Sequence, residues 1–232
     1  MGQITGVFQR VEQKYLMNRA QYTALREILE PYMEPDEYGR STICNIYFDT
    51  PDRRLVRTSI EKPVYKEKMR LRTYGVPKPE SPAFVELKKK YKGVVYKRRI
   101  TLPYTKAFGW LCRGEAPKEN SQIQREIAWF LEFYGDLEPA AALCYDRTAL
   151  YGRESGSLRI TFDEAIRWRG ENTDLLCGDD GDLLLPEGVC LMEIKAIGGM
   201  PIWLADALGD LCVYPTSYSK YGSAYSSTLV CR

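Results

Sequence analysis

From Tyr65 to Tyr74 the chain reads Tyr-Lys-Glu-Lys-Met-Arg-Leu-Arg-Thr-Tyr, and this alternation constrains the rest of the molecule. Side chains on a β-strand point to opposite faces in turn, so Lys66, Lys68, Arg70 and Arg72 share one face of a strand. A row of like charges needs a polyanion, a set of opposing carboxylates, or open water. The function turns on which of the three is present.

The remaining chain supplies more strands of the same kind. Val7–Leu16 alternates and reads as a first strand, followed by a helix capped at Asn18 with Tyr22, Leu25, Ile28 and Leu29 on one face. Ser41–Asp49 reads as a second strand, and Arg53–Ser59 as a short helix or turn. Pro82–Lys90 and Val94–Leu102 form a hairpin about Gly93. Helical periodicity returns around Phe108–Leu111 and Ile123–Tyr134, strand character at Pro139–Leu150 and Leu158–Arg167, with a turn at Gly156 and Ser157. Glu171–Gly188 reads as a long loop and Val189–Ala196 as the last strand. Helices then follow from Pro201 and over Tyr214–Ser227. About eight mostly antiparallel strands with interspersed helices describe an α+β protein with a large sheet that could close into a β-barrel. The 232 residues suit one domain, 1–232.

Composition matters mainly for what it excludes. There is no histidine, so histidine catalysis and histidine-ligated zinc are ruled out. A net charge of +2 argues against a protein that coats nucleic acid, so any strong positive field is local. No apolar run approaches the roughly 20 residues of a membrane span, and the N-terminus lacks a leader pattern. Seven scattered cysteines without a C-x-x-C spacing suit reduced thiols, which together give the expectation of a cytoplasmic protein.

Arg10, Glu12 and Lys14; Lys66 to Arg72; Glu86, Lys88 and Lys90; Arg159 and Asp163; and Glu193 and Lys195 each fall on one face of a strand. Each set alone reads as the solvated side of a half-buried sheet. Five sets dominated by Arg, Lys and Glu instead suggest a cationic lumen for a polyphosphate, with carboxylates to hold a divalent metal.

Eight ordered segments carry a resemblance: Phe8–Tyr15, Ile46–Asp49, Arg70–Gly75, Phe84–Lys88, Tyr145–Ala149, Leu158–Asp163, Met192–Lys195 and Ser219–Tyr221. Together they resemble the catalytic domain of VTC-type polyphosphate polymerases, within the triphosphate tunnel metalloenzyme (CYTH-like) superfamily. The resemblance runs from about Phe8 to Ser226 and implies an antiparallel barrel forming a tunnel. By motif it implies Lys14, Arg70, Arg72, Lys88, Arg147, Arg159 and Lys220 as phosphate ligands. Tyr145 and Ser219 would be hydrogen-bonding neighbours, Glu193 the ligand of Mn²⁺ or Mg²⁺, and Lys195 an added charge. Lys66 and Lys68 have no role in the family pattern and would attract anions near the tunnel mouth. Each assignment has a plainer alternative: Arg147 and Lys220 as surface ion pairs, Glu193 as a neutraliser of Lys195 or Arg72. Asp163 is a weaker metal candidate, Glu12 and Glu86 balance charge, and Tyr47 and Asp49 orient the second strand and its turn.

Hydrolytic members of the superfamily open with E-x-E-x-K, whereas this chain has Arg10-x-Glu12-x-Lys14. Exchanging a carboxylate for a cation removes a metal ligand and adds a phosphate ligand, which tilts the expectation to the polymerase branch. The reading is transfer of the γ-phosphoryl group of ATP to a polyphosphate chain or phosphate primer, with release of ADP. The alternatives are a triphosphatase of inorganic triphosphate or nucleotides, and a non-catalytic polyphosphate- or nucleotide-binding module. No nucleic-acid partner and no membrane segment are expected.

Overall fold

A computed structural model describes residues 10–118, 121–154 and 157–230. The expected strand positions Val7, Phe8 and Gln9, and Gly156 of the expected turn, lie outside the described residues. Among the described residues ten strands and six α-helices follow one another as β1 (Arg10–Met17), α1 (Arg19–Leu29), β2 (Met33–Asp49), α2 (Arg54–Ile60), β3 (Tyr65–Tyr74), β4 (Pro82–Tyr91), β5 (Val94–Pro103), α3 (Tyr104–Arg113), α4 (Gln122–Tyr134), β6 (Glu138–Gly152), β7 (Arg159–Arg169), β8 (Asp182–Leu183), β9 (Cys190–Ile197), α5 (Ile202–Asp210), β10 (Pro215–Thr216) and α6 (Lys220–Val230). The protein is α+β with a large antiparallel sheet, whose strand order runs from β10 at one end to β5 at the other, so the expected closed barrel is instead an open sheet among the described residues.

The chain divides into two compact units. One comprises Met1–Ser41, Asp146–Ala165 and Leu185–Tyr218, the other Thr42–Tyr145, Ile166–Leu184 and Ser219–Arg232. The first carries the strand order β10-β1-β9-β7 and the second β2-β3-β4-β5. The long strands β7, β6 and β2 contribute to both, and β8 pairs with β7.

Each unit has its own core. In the first, Tyr15, Met17, Leu25, Leu29, Phe162, Met192 and Leu204 pack around α1 and α5. In the second, Phe48, Met69, Leu71, Val85, Leu87, Tyr104, Trp110 and Phe130 pack beneath α3 and α4. Burying such side chains contributes about 1.5–3 kcal/mol each, which commits the alternate positions of every core strand to the opposite face.

Local chemistry sets the element ends. Asn18 closes a capping box with Gln21 at the start of α1, and Ser121 does so with Gln124 at α4. The β4–β5 hairpin turns through Lys92 and Gly93, both at positive φ, with Tyr91 opposite Val94. That is the backbone a two-residue turn between twisted strands requires.

Several boundaries differ from expectation. β2 begins at Met33 rather than Ser41, because its first half is largely exposed and polar and shows no apolar alternation. The expected loop Glu171–Gly188 contains a 3-10 turn at Leu175–Cys177 and the short β8. Arg169 knits it together, donating from Nη2 to the carbonyls of Asp174 and Gly178 at 3.0 and 2.8 Å. β9 is not the last strand. The stretch expected as a helix from Tyr214 instead pairs Pro215 and Thr216 with β1, and α6 starts only after Ser219, whose hydroxyl accepts from Gly222 N at 3.2 Å.

Candidate functional site

In the second unit, strand register builds a cationic face. Arg72 lies opposite Asn45 on β2 and Phe84 on β4, Arg70 opposite Tyr47 and Glu86, Lys68 opposite Lys88, and Lys66 opposite Lys90. β5 extends the rows, placing Arg99 opposite Glu86 and Lys97 opposite Lys88. The alternate positions Met69, Leu71, Val85 and Leu87 are fully buried, so this face is fixed by the core on its reverse side.

The arginines are held rather than loose. Arg72, 7% exposed, donates from Nε to Asn45 Oδ1 at 2.8 Å and from Nη2 to the Tyr145 hydroxyl at 3.1 Å. Asn45 is itself anchored, its Nδ2 donating to Leu143 O at 3.0 Å. Arg70 donates from Nε to Glu86 Oε2 at 2.6 Å and from Nη1 to the Tyr47 hydroxyl at 3.3 Å.

Glu86, 1% exposed, is shared among three cations: besides Arg70, Lys97 Nζ lies 2.8 Å and Arg99 Nε 2.6 Å from Oε1. Burial alone would raise its pKa, but Arg70, Arg72 and Lys97 outweigh this and hold it well below the usual carboxylate range. Tyr47 follows the same logic. Burial opposes its ionisation, yet Arg70, Lys68 and Arg72 lower its pKa to about 8.

Helix α6 brings a second set of groups to the same unit. Ser219 Oγ caps the helix and accepts from Lys68 Nζ at 3.2 Å, and the Lys220 ammonium sits 4.5 Å over the Tyr145 ring. The Tyr221 hydroxyl donates to Asp49 Oδ2 at 2.8 Å, and its ring stacks on Tyr47 at 4.8 Å. Asp49 also accepts from the backbone of Leu55 and Val56 at 2.8 and 3.0 Å, fixing the start of α2. Lys66 donates to Ser59 O at 3.2 Å.

In the first unit the charges are largely matched. Glu193 on β9 lies between Lys14 and Thr161 in the ladder, and Lys195 between Glu12 and Arg159. Glu193 is buried and ion-paired to Lys14 at 3.6 Å and Lys195 at 3.5 Å. Lys14 also donates to Tyr218 O at 2.9 Å. Arg147 grips Asp163, which is 0% exposed, through Nε and Nη2 at 2.6 and 2.7 Å. Asp163 is therefore engaged by a guanidinium. The Arg159 guanidinium lies 5.0 Å over the Tyr151 ring; its Nε, like Thr161 Oγ1, is buried without a hydrogen-bond partner.

Among the described residues no group of three or more Asp, Glu or Cys is arranged to hold a metal. Glu193 is a single carboxylate, and Thr161, its cross-strand neighbour, carries the orphaned hydroxyl oxygen. Such a donor set fits a Mg²⁺- or Mn²⁺-type ion that takes most of its remaining ligands from water and phosphate, and does not fit an all-protein cage.

The sequence-derived residues thus fall into two groups: Lys66, Lys68, Arg70, Arg72, Lys88, Tyr145, Ser219 and Lys220 in the second unit, and Lys14, Arg147, Arg159, Glu193 and Lys195 in the first. Lys97, Arg99, Tyr47 and Asn45 join the second group without having been assigned phosphate roles from sequence. A two-residue turn at Lys92–Gly93 is the signal for the first two, since it forces Glu86 opposite Arg99 and Lys88 opposite Lys97.

Comparison with known proteins adds the lineage. No curated protein matches the chain. A Hippeastrum protein put forward as an adenylyl cyclase, and described as having a dominant triphosphatase activity, shares the fold. It has a TM-score of 0.56 and 16% identity, with 94% of this chain and 96% of that one covered. A Bacillus halodurans protein put forward as an adenylate cyclase gives a TM-score of 0.55 and 15% identity, over 90% and 93% of the two chains. The family model of the VTC domain matches residues 9–229. The chain belongs to the VTC domain family.

Proposed function

We propose that the protein is a phosphotransferase that moves the γ-phosphoryl group of ATP onto the end of a polyphosphate chain or a phosphate primer and releases ADP. The observation that carries this reading is the imbalance on the β3–β5 face. Lys66, Lys68, Arg70, Arg72, Lys88, Lys97 and Arg99 stand against the single carboxylate Glu86. Such a face is satisfied by an anion carrying several charges.

An acceptor phosphate oxygen, already ionised at neutral pH, attacks the γ-phosphorus in line, and the bond to the β–γ bridging oxygen breaks. No proton has to be removed from the nucleophile. Catalysis then rests on positioning and on neutralising charge at the equatorial and leaving oxygens. Arg70 and Arg72 suit this because their side chains are held by Glu86, Tyr47, Asn45 and Tyr145 before any phosphate arrives. Lys68, Lys88 and Lys220 add point charges, and Ser219 positions Lys68. Lys14, Arg159 and Lys195 supply further cations, while Arg147 acts through its grip on Asp163. A bound Mn²⁺ or Mg²⁺, with Glu193 as its protein ligand, would supply Lewis-acid stabilisation of phosphate oxygens.

The competing reaction is hydrolysis, in which water replaces the acceptor phosphate. Activating water calls for a general base, whereas Glu86, Glu193 and Asp163 are each engaged by cations. Purified protein with ATP and Mn²⁺, with and without a phosphate primer, tests the reading. Polymer and ADP are expected. Free phosphate without polymer would make the protein a triphosphatase, and ATP binding without turnover would make it a binding module.

A further inference from the structure

The tip of the β4–β5 hairpin, from Lys90 to Tyr96, carries a second feature that the phosphate chemistry does not use. From Lys88 to Arg99 the sequence is Lys-Lys-Lys-Tyr-Lys-Gly-Val-Val-Tyr-Lys-Arg-Arg, seven cations without a carboxylate, in a protein whose net charge is only +2. Ion pairs take up Lys89 with Glu67, Lys97 and Arg99 with Glu86, and Arg98 with Glu126, which leaves the exposed Lys90 and Lys92 as the charge at the tip. The tip is also apolar. Val64, Val94 and Val95 are 63, 54 and 47% exposed, with Tyr65, Tyr91 and Tyr96 half-exposed beside them. These residues are contiguous, since Tyr65 lies opposite Tyr91, Tyr91 opposite Val94, and Lys92 N donates to Val64 O at 3.0 Å.

A soluble polyanion would account for the lysines but gives no reason to hold three valines in water at a loop tip. An anionic bilayer accounts for both. Branched aliphatic side chains enter the acyl boundary, tyrosines sit at headgroup depth, and lysines meet the lipid charge while their stems lie along apolar surface. We propose that the tip of the β4–β5 hairpin, with Val64 and Tyr65 at the start of β3, docks the protein on an anionic lipid surface. Attachment is peripheral, through a rigid two-residue turn, and needs no membrane-spanning helix.

Co-sedimentation of the whole protein with phosphatidylcholine vesicles, with and without phosphatidylserine, tests this. Binding is expected only where phosphatidylserine is present. Each lysine near an anionic surface is worth about fivefold in affinity, so Lys90→Ala/Lys92→Ala lowers binding by roughly 25-fold. Val94→Asp/Val95→Asp lowers it at least tenfold. Val94→Ser/Val95→Ser weakens it in the same direction and serves as the variant of choice should the charged pair fail to fold. A Val94→Trp variant shifts its emission to the blue on anionic vesicles. Failure to sediment with anionic vesicles overturns the proposal. So does loss on lysine replacement with none on valine replacement, which would mark a site for a soluble polyanion instead. ATP turnover is read separately, so neither result depends on the reaction proposed above.

Discussion

The two charged regions of this molecule solve opposite electrostatic problems. On the β3–β5 face the cations outnumber the carboxylate available to them, and Glu86 alone serves Arg70, Lys97 and Arg99. In the first unit each buried carboxylate has its own cations, Asp163 on β7 with Arg147 on β6, and Glu193 on β9 with Lys14 and Lys195. Removing a cation from the β3–β5 face takes away attraction for a ligand. Removing one from the first unit exposes a buried carboxylate. The difference teaches that similar charged alternation on two sets of strands can leave an excess of cations in one place and hold buried carboxylates in another.

The strongest way to break this contrast is to delete Arg72 or Arg70. Loss of a pre-positioned donor to a developing phosphate charge costs about 10²–10³-fold in turnover, and Arg72→Ala is expected to fall in that range. Arg72→Lys should not restore it, because an ammonium cannot reach Asn45 and Tyr145 with the geometry of a guanidinium. Lys195→Ala, from the matched region, is expected to cost less than tenfold. Steady-state rates of ADP release compare the three; equal losses would remove the distinction.

Stability should show the reverse order. Arg147→Ala leaves Asp163 charged and fully buried, which costs about 3–5 kcal/mol, and Arg147→Ala/Asp163→Ala should recover part of it. Lys88→Ala, from an exposed position on the β3–β5 face, should stay within about 0.5 kcal/mol of wild type. Urea unfolding midpoints decide this. An Arg147→Ala protein as stable as wild type, yet inactive, would move Arg147 among the phosphate ligands.

Acid unfolding sharpens the comparison on the cation-rich side. The folded Glu86 titrates well below an unfolded glutamate at about 4.3, so the unfolded chain binds the extra proton first and stability rises with pH in this window. Its contribution is complete above the unfolded value and disappears as pH falls through the folded one. Wild type should therefore lose more stability than Glu86→Gln between neutral pH and strong acid. Parallel pH–stability curves for the two proteins would show that Glu86 is not the shared counter-ion.

Much of this contrast was legible before any coordinates. The alternation at Lys66–Arg72 identified β3 to the residue, and Asn18 identified the start of α1, because a period of two and a capping side chain are local signals. Pairing is not local. Nothing within Tyr145–Thr148 says that Arg147 will meet Asp163 on the neighbouring β7, or that Tyr145 will meet Arg72 from β3. The late start of α6 was missed because Tyr214–Ser227 keeps a helical rhythm of aromatic residues, while two residues at Pro215–Thr216 gain more by pairing with β1. Tyr47 was read as an orienting residue. Its phenol acquires another character only from the cations that β3 places beside it.

That phenol gives the smallest and most specific readout of the comparison. With burial opposing ionisation and Arg70, Lys68 and Arg72 favouring it, Tyr47 ionises at about 8, below the ordinary tyrosine value. An ultraviolet titration should contain one tyrosine transition near this pH that Tyr47→Phe abolishes. Because the folded value lies below the unfolded one, its small stabilising effect is lost as pH falls through 8 and complete only above the unfolded value near 10. Inorganic triphosphate bound on the β3–β5 face would neutralise the same cations and return the transition towards 10. A phosphate compound that binds without moving this transition would have to be held away from Arg70, and the cation-rich face would lose its claim to the ligand.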